Sequence, residues 1–75
     1  MTTRGTPVGN HLRALRFQHG EMTQDALARA VGITRQTVIA LEAGHYAPSL
    51  ELAMRLARVF GRGVDEVFFW KEVDA

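Results

Sequence analysis

Apolar positions along the chain fall into short helical runs separated by glycines. Leu27, Ala28 and Val31 repeat at helical spacing before Gly32, and Val38 and Leu41 do so after Thr34. This spacing predicts two short helices joined by a tight turn. Ala28 is small where the helices cross closely, Gly32 supplies a positive-φ backbone, Ile33 turns inward at the corner, and Thr34 caps the second helix. With Leu27, Val31, Val38 and Leu41 facing the interior, Arg35, Gln36, Ile39 and Ala40 are left on the outer side. An exposed helix beginning Arg-Gln is a candidate reader of base edges. The competing reading is an ordinary helical hairpin with solvated polar residues.

The same periodicity places three further helices. Residues 1–8 read as a flexible N-terminal arm, with Thr6 and Pro7 or Asn10 opening the first helix. That helix runs to about His19 with Val8, Leu12, Leu15 and His19 as its inner stripe, Arg13 outside and Arg16 at the edge. Phe17 falls off the stripe, either as a scattered surface residue or as cover for the C-terminal tail or a partner. Thr23 caps the second helix, whose first turn carries Gln24 and Asp25 where free N–H groups suit a phosphate. Ser49 caps a fourth helix with Leu50, Ala53, Leu56, Ala57 and Phe60 on one face, and Gly61 stops it. A fifth helix is expected from Val64 to about Phe69, with Val67 and Phe68 inward and a weak start at Gly63. The expected fold is all-α: a compact five-helix domain over residues 9–69, followed by a tail at 70–75.

That tail is more apolar than a free end requires. Folded back on its own chain it shelters Phe17. In a homodimer Val67, Phe69 and Trp70 form the contact, since large aromatics carry much interface energy. The strand propensity of Val67 to Trp70 offers strand exchange as a third arrangement.

Composition narrows the function classes. Seventy-five residues allow one small domain, and 47% apolar content supports a globular fold. With no cysteine, disulfides, thiolate metal sites and cysteine catalysis are excluded. No apolar run reaches the ~20 residues of a membrane span, so a cytoplasmic protein without membrane contact is expected. His11, His19 and His45 lack metal-ligand spacing, and neither paired catalytic carboxylates nor a phosphate-cradling glycine loop stands out. No enzyme, metal, cofactor or small-molecule ligand is therefore expected. Net charge is only +1. Through residue 45, however, five arginines oppose three carboxylates, so the basic half is the one carrying the helix pair. Eight of the nine cations are arginine, which suits bidentate contacts, although a GC-rich coding bias gives the same preference.

The runs MTQDALARAVGITRQTVIALEAG, PSLELAMRLARVFG and VDEVF resemble the Cro/C1-type helix-turn-helix family, the five-helix repressor domains of bacteria and their phages. The resemblance covers about Asn10 to Phe68. It implies a prokaryotic transcriptional regulator, most simply a repressor, binding double-stranded DNA as a homodimer on a pseudo-palindrome. By the same resemblance Arg35 and Gln36 read bases, and Gln24, Thr34, Thr37 and His45 lie at phosphates. Ile39 and Ala40 stand where relatives often carry a further polar reader, leaving them only thymine methyls or spacer surface. Arg16 and Glu42 match an ion pair that locks the reading helix to the first helix. His45 replaces a common Lys or Arg, so a phosphate contact there tightens as the imidazole gains its proton. The turn at Gly20, Glu21 and Met22 is one residue longer than usual. The alternative reading, from another class, is an antitoxin-like or adaptor module with weak DNA binding, for which Phe17, Phe69 and Trp70 are partner anchors.

Overall fold

A computed structural model describes residues 5–71. Seven elements follow in order: β1 (Val8–Asn10), α1 (Leu12–Gln18), α2 (Gln24–Val31), α3 (Arg35–Glu42), α4 (Leu50–Phe60), α5 (Val64–Val67) and β2 (Phe68–Trp70). The five expected helices are present, and a two-stranded antiparallel sheet is added to them.

Side-chain caps define three helix starts. Thr23, Thr34 and Ser49 each have extended backbone and accept from the N–H three residues on, at Ala26, Thr37 and Leu52. Gly32 (φ 78°) and Gly61 (φ 65°) end α2 and α4 in the left-handed region that favours glycine. At α5, where Gly63 has no side chain to cap with, Glu66 reaches back and accepts from the Gly63 N–H at 2.8 Å.

The core is formed by Leu12 and Leu15 of α1, Leu27, Ala28 and Val31 of α2, Val38 and Leu41 of α3, Leu56 and Ala57 of α4, and Val67 of α5. Ile33 packs against it from the corner. Every helix contributes to this one cluster, so α3 is held from its inner face while its outer face stays open. No helix of the described residues is long and apolar enough to cross a membrane.

Several expectations at the chain's two ends are corrected. Val8 belongs to β1 rather than to the inner stripe of α1, and Thr6 and Pro7 do not open a helix. Thr6 N–H donates to the Gly44 carbonyl at 3.2 Å, and the Pro7 carbonyl accepts from Lys71 N–H at 2.7 Å. Helix α1 begins after Asn10, whose side-chain oxygen accepts from Leu12 N–H at 3.1 Å. Its amide also donates to the Leu41 carbonyl at 2.8 Å, tying β1 to the end of α3. Residues 6–8 are therefore anchored, not an arm. The start of the arm, residues 1–4, and the end of the tail, residues 72–75, lie outside the described residues.

Helix α5 stops at Val67, and the next three residues pair with β1 in the register Val8↔Trp70, Gly9↔Phe69, Asn10↔Phe68. The aromatic content of this run favours a strand, and β1 supplies the partner edge within the same chain. Within the described residues the tail leaves Phe17 about half exposed rather than sheltering it. His19 is exposed and meets the Phe60 ring edge-on at 5.6 Å, instead of entering the core. Leu50 is 71% exposed, because the buried face of α4 is Ala53, Leu56 and Ala57.

Candidate nucleic-acid interface

The candidate interface is built on α3 and the two helices behind it. Arg35 and Gln36 in its first turn are exposed, Ile39 is 38% exposed, and Ala40 is half-buried one turn on. The protruding end of the helix thus presents a guanidinium and an amide, with an aliphatic patch after them. This polarity order permits hydrogen bonding to base edges near the helix start and methyl contact further along.

Three helices meet at the Glu42 carboxylate. Its Oε2 accepts from Arg16 Nε at 2.6 Å and its Oε1 from the second guanidinium nitrogen at 3.0 Å, a bidentate pair whose side chains are each only 8% exposed. Oε1 also accepts from the Gln24 amide at 3.1 Å. The remaining guanidinium nitrogen of Arg16 donates to the Met22 carbonyl at 2.8 Å, while Met22 N–H donates to the Arg16 carbonyl at 2.9 Å. One arginine therefore closes the α1–α2 turn and holds the end of α3. The extra residue of that turn is accommodated by two successive left-handed residues, Gly20 (φ 70°) and Glu21 (φ 55°). The family resemblance matched Arg16 to Glu42 but carried no sign of the Met22 carbonyl as a third partner.

The structure sorts the remaining candidates by what their polar atoms already do. Gln24 spends one amide N–H on Glu42. The Thr34 hydroxyl oxygen accepts from Thr37 N–H at 3.1 Å and lies 2.9 Å from the Thr37 hydroxyl, so Thr34 serves the cap. His45 is exposed in the loop after α3, and its backbone N–H donates to the Ala40 carbonyl at 3.1 Å. Val67 is fully buried within the chain and is therefore corrected from a dimer contact to a core residue. Phe69 packs on His11 with ring centroids 4.6 Å apart and keeps 41% exposure, whereas Trp70 is 76% exposed.

An open groove of about 820 Å³ runs beside α3, between α1 and the first turn of α2. It is lined by Arg13, Arg16 and Phe17 on one wall, Thr23, Gln24 and Asp25 on another, and Arg35, Glu42 and Ala43 on the third. Both acids in it are partnered, Glu42 by Arg16 and Asp25 by Arg29 at 2.7 Å. Among the described residues Arg13 and Arg35 form no ion pair, which leaves the groove cationic. The sequence left Arg13 unmarked and marked Phe17 only as a partner anchor in the alternative reading, although their four-residue spacing on one helix was a usable signal.

This architecture is a helix-turn-helix, with α2 packed across α3 and the outer face of α3 free. Residues 12–67 match the helix-turn-helix family, and the chain belongs to the Cro/C1-type helix-turn-helix family. Its relatives include two proteins named as uncharacterised HTH-type transcriptional regulators, from Methanocaldococcus jannaschii and, as YgzD, from Bacillus subtilis. Each is 41% identical over 63 residues, covering 84% of this chain and 94% of that protein. A third with the same description, from Methanothermobacter thermautotrophicus, is 54% identical over 52 residues, 68% of this chain and 75% of its own length. A crystal structure of a protein from Bacteroides fragilis, described provisionally as DNA-binding, shares the fold with a TM-score of 0.71. It is 16% identical, over 83% of this chain and 98% of that one.

Proposed function

We propose that this chain is a sequence-reading transcriptional regulator, a repressor, that inserts α3 into the major groove of a pseudo-palindromic operator as a homodimer. The observation that carries the reading is the exposed Arg35-Gln36 start of a helix whose far end is clamped by Glu42 and Arg16. Base discrimination needs donors held in register, and a recognition helix locked to its neighbours supplies that. The relatives are named as transcriptional regulators, which supports the regulator part of this reading.

One domain reads only a few base pairs, so two copies spaced by one turn of DNA, about 34 Å, are required for useful specificity. Trp70 and Phe69 are the exposed aromatics nearest the chain's end and are assigned to the dimer contact. Repression then follows from occupying promoter DNA.

The test is fluorescence anisotropy with a duplex from the region upstream of the gene and a scrambled duplex, each titrated over several salt concentrations. The expected preference for the upstream duplex is at least ~10³-fold, with linear log-log salt dependence. Arg35→Ala and Gln36→Ala are expected to cost about 1–3 kcal/mol on that duplex and much less on the scrambled one. Equal, weak binding to both duplexes, unchanged by either substitution, rejects base reading by α3 and favours a partner-binding module.

A further inference from the structure

We infer that Asn10 is a positioning residue for base reading, which sets through the Leu41 carbonyl how far α3 stands along its own axis relative to the β1–β2 pair. The inference rests on the reading of α3 as a major-groove helix. It adds a residue outside the helix-turn-helix to those that determine its specificity.

Helix α3 ends in a left-handed turn. Gly44, at φ 75°, donates its N–H to the Leu41 carbonyl at 3.0 Å, and His45 N–H donates to the Ala40 carbonyl at 3.1 Å. Carbonyls in a last helical turn point along the axis, away from the start of the helix. The Leu41 oxygen keeps a second lone pair after the Gly44 bond, and the Asn10 amide, 31 positions earlier in the chain, donates to it at 2.8 Å. A second bond fixes the orientation of that amide. Its oxygen accepts from Leu12 N–H at 3.1 Å, and the reversed amide would set oxygen against carbonyl and NH2 against N–H.

Neighbouring ties act on the same end. The Gly44 carbonyl accepts from Thr6 N–H at 3.2 Å and from the Lys71 ammonium at 3.5 Å, so residues flanking both strands hold the exit of α3. The pair Arg16 and Glu42 works in another direction, because a glutamate side chain leaves its helix laterally. It restrains α3 from the side, while the Asn10 bond restrains it along the axis. Helix α3 has eight residues, a stiff rod of about 12 Å, so a shift at Leu41 reaches Arg35 and Gln36 undiminished. Hydrogen bonds to base edges tolerate only a few tenths of an ångström, so that coordinate decides base reading. Because β2 carries Phe69 and Trp70, the same bond links the proposed dimer contact to the reading helix.

The test uses the full chain with the upstream and scrambled duplexes across a salt series, at a temperature where melting shows each variant folded. Asn10→Ser keeps an oxygen for Leu12 N–H but is too short to reach Leu41 and has no amide to donate. It is expected to weaken binding to the upstream duplex about tenfold and to the scrambled one about twofold or less, with the salt slope kept because no phosphate contact is lost. Asn10→Thr, which also favours a strand, repeats the test should Asn10→Ser melt too low. In an Arg35→Ala, Gln36→Ala background, Asn10→Ser should cost about twofold or less, since it acts through those two residues. An undiminished cost in that background, an equal loss on both duplexes, or a lowered melting temperature with the preference kept would make Asn10 purely structural. Any of these overturns the inference and leaves the regulator reading standing. A wild type that binds both duplexes alike overturns the regulator reading and the inference with it.

Discussion

Between Thr23 and Ala43, the hydrogen bonds that shape the helix-turn-helix backbone join residues within five positions of each other. Thr23 caps Ala26, Ala28 accepts from both Gly32 and Ile33, and Thr34 caps Thr37. In the β1–β2 pair, by contrast, Val8 meets Trp70 and Asn10 meets Phe68, across nearly the whole described chain. The first region is specified by local chemistry and the second by encounter between distant segments. The reading surface and its support are thus encoded differently. A capping hydroxyl or a left-handed glycine fixes α2 and α3, whereas the strands depend on the folded core to bring them together.

The largest expected effect comes where the two regimes touch, at Glu42. Glu42→Ala leaves Arg16 as a largely buried, unpaired charge and frees Gln24, so urea denaturation should show a loss of about 3 kcal/mol. A loss below about 1 kcal/mol would show that local caps hold α3 without the clamp.

Next is Gly9→Val. A Cβ at Gly9 falls 2.5 Å from the Phe69 ring, so Phe69 must swing away and the strand pair loosen, at about 2 kcal/mol. Hydrogen exchange should then quicken at His11 N–H, which donates to Val67, before it does so in α2. Simultaneous loss in both regions would erase the distinction between them.

Gly32→Ala tests the local regime alone. The nearest atom to an added Cβ is 3.9 Å away on Arg55, so the cost is backbone strain at φ 78°, about 1 kcal/mol. Thermal melting should fall by a few degrees with no change in the strand amides. The smallest effect is a gain. Glu21→Gly relieves a left-handed non-glycine residue at φ 55° and should stabilise by about 0.5 kcal/mol, the benefit being reduced by glycine's greater unfolded freedom.

This division also explains what was legible in the sequence. Caps at Thr23, Thr34 and Ser49, the turns at Gly32 and Gly61, and the buried periodicity of α2 and α3 follow from residue types at fixed offsets, and these features define the exposed face of α3. The end of α5 and the fate of residues 6–10 do not. Thr6-Pro7 carries a genuine helix-start pattern, but Pro7 also suits a strand edge, where its missing N–H is harmless and its carbonyl accepts from Lys71. Only the distant partner decides between them. Val67 reads both as an inward residue of α5 and as a dimer contact, and its side chain closes the core, which leaves only the first. At the site, residue identities were legible but their commitments were not. Nothing in the spacing shows that the Gln24 amide is held by Glu42.

The antiparallel ladder has a mechanical consequence. Val8 lies opposite Trp70, so a pull applied at those two residues acts along the inter-strand hydrogen bonds rather than across them. Such a load opens the ladder one bond at a time, like a zipper, instead of shearing all its bonds together. Tension between the two ends would therefore peel away β1 and β2 at low force, while α2 and α3 bore little of the load.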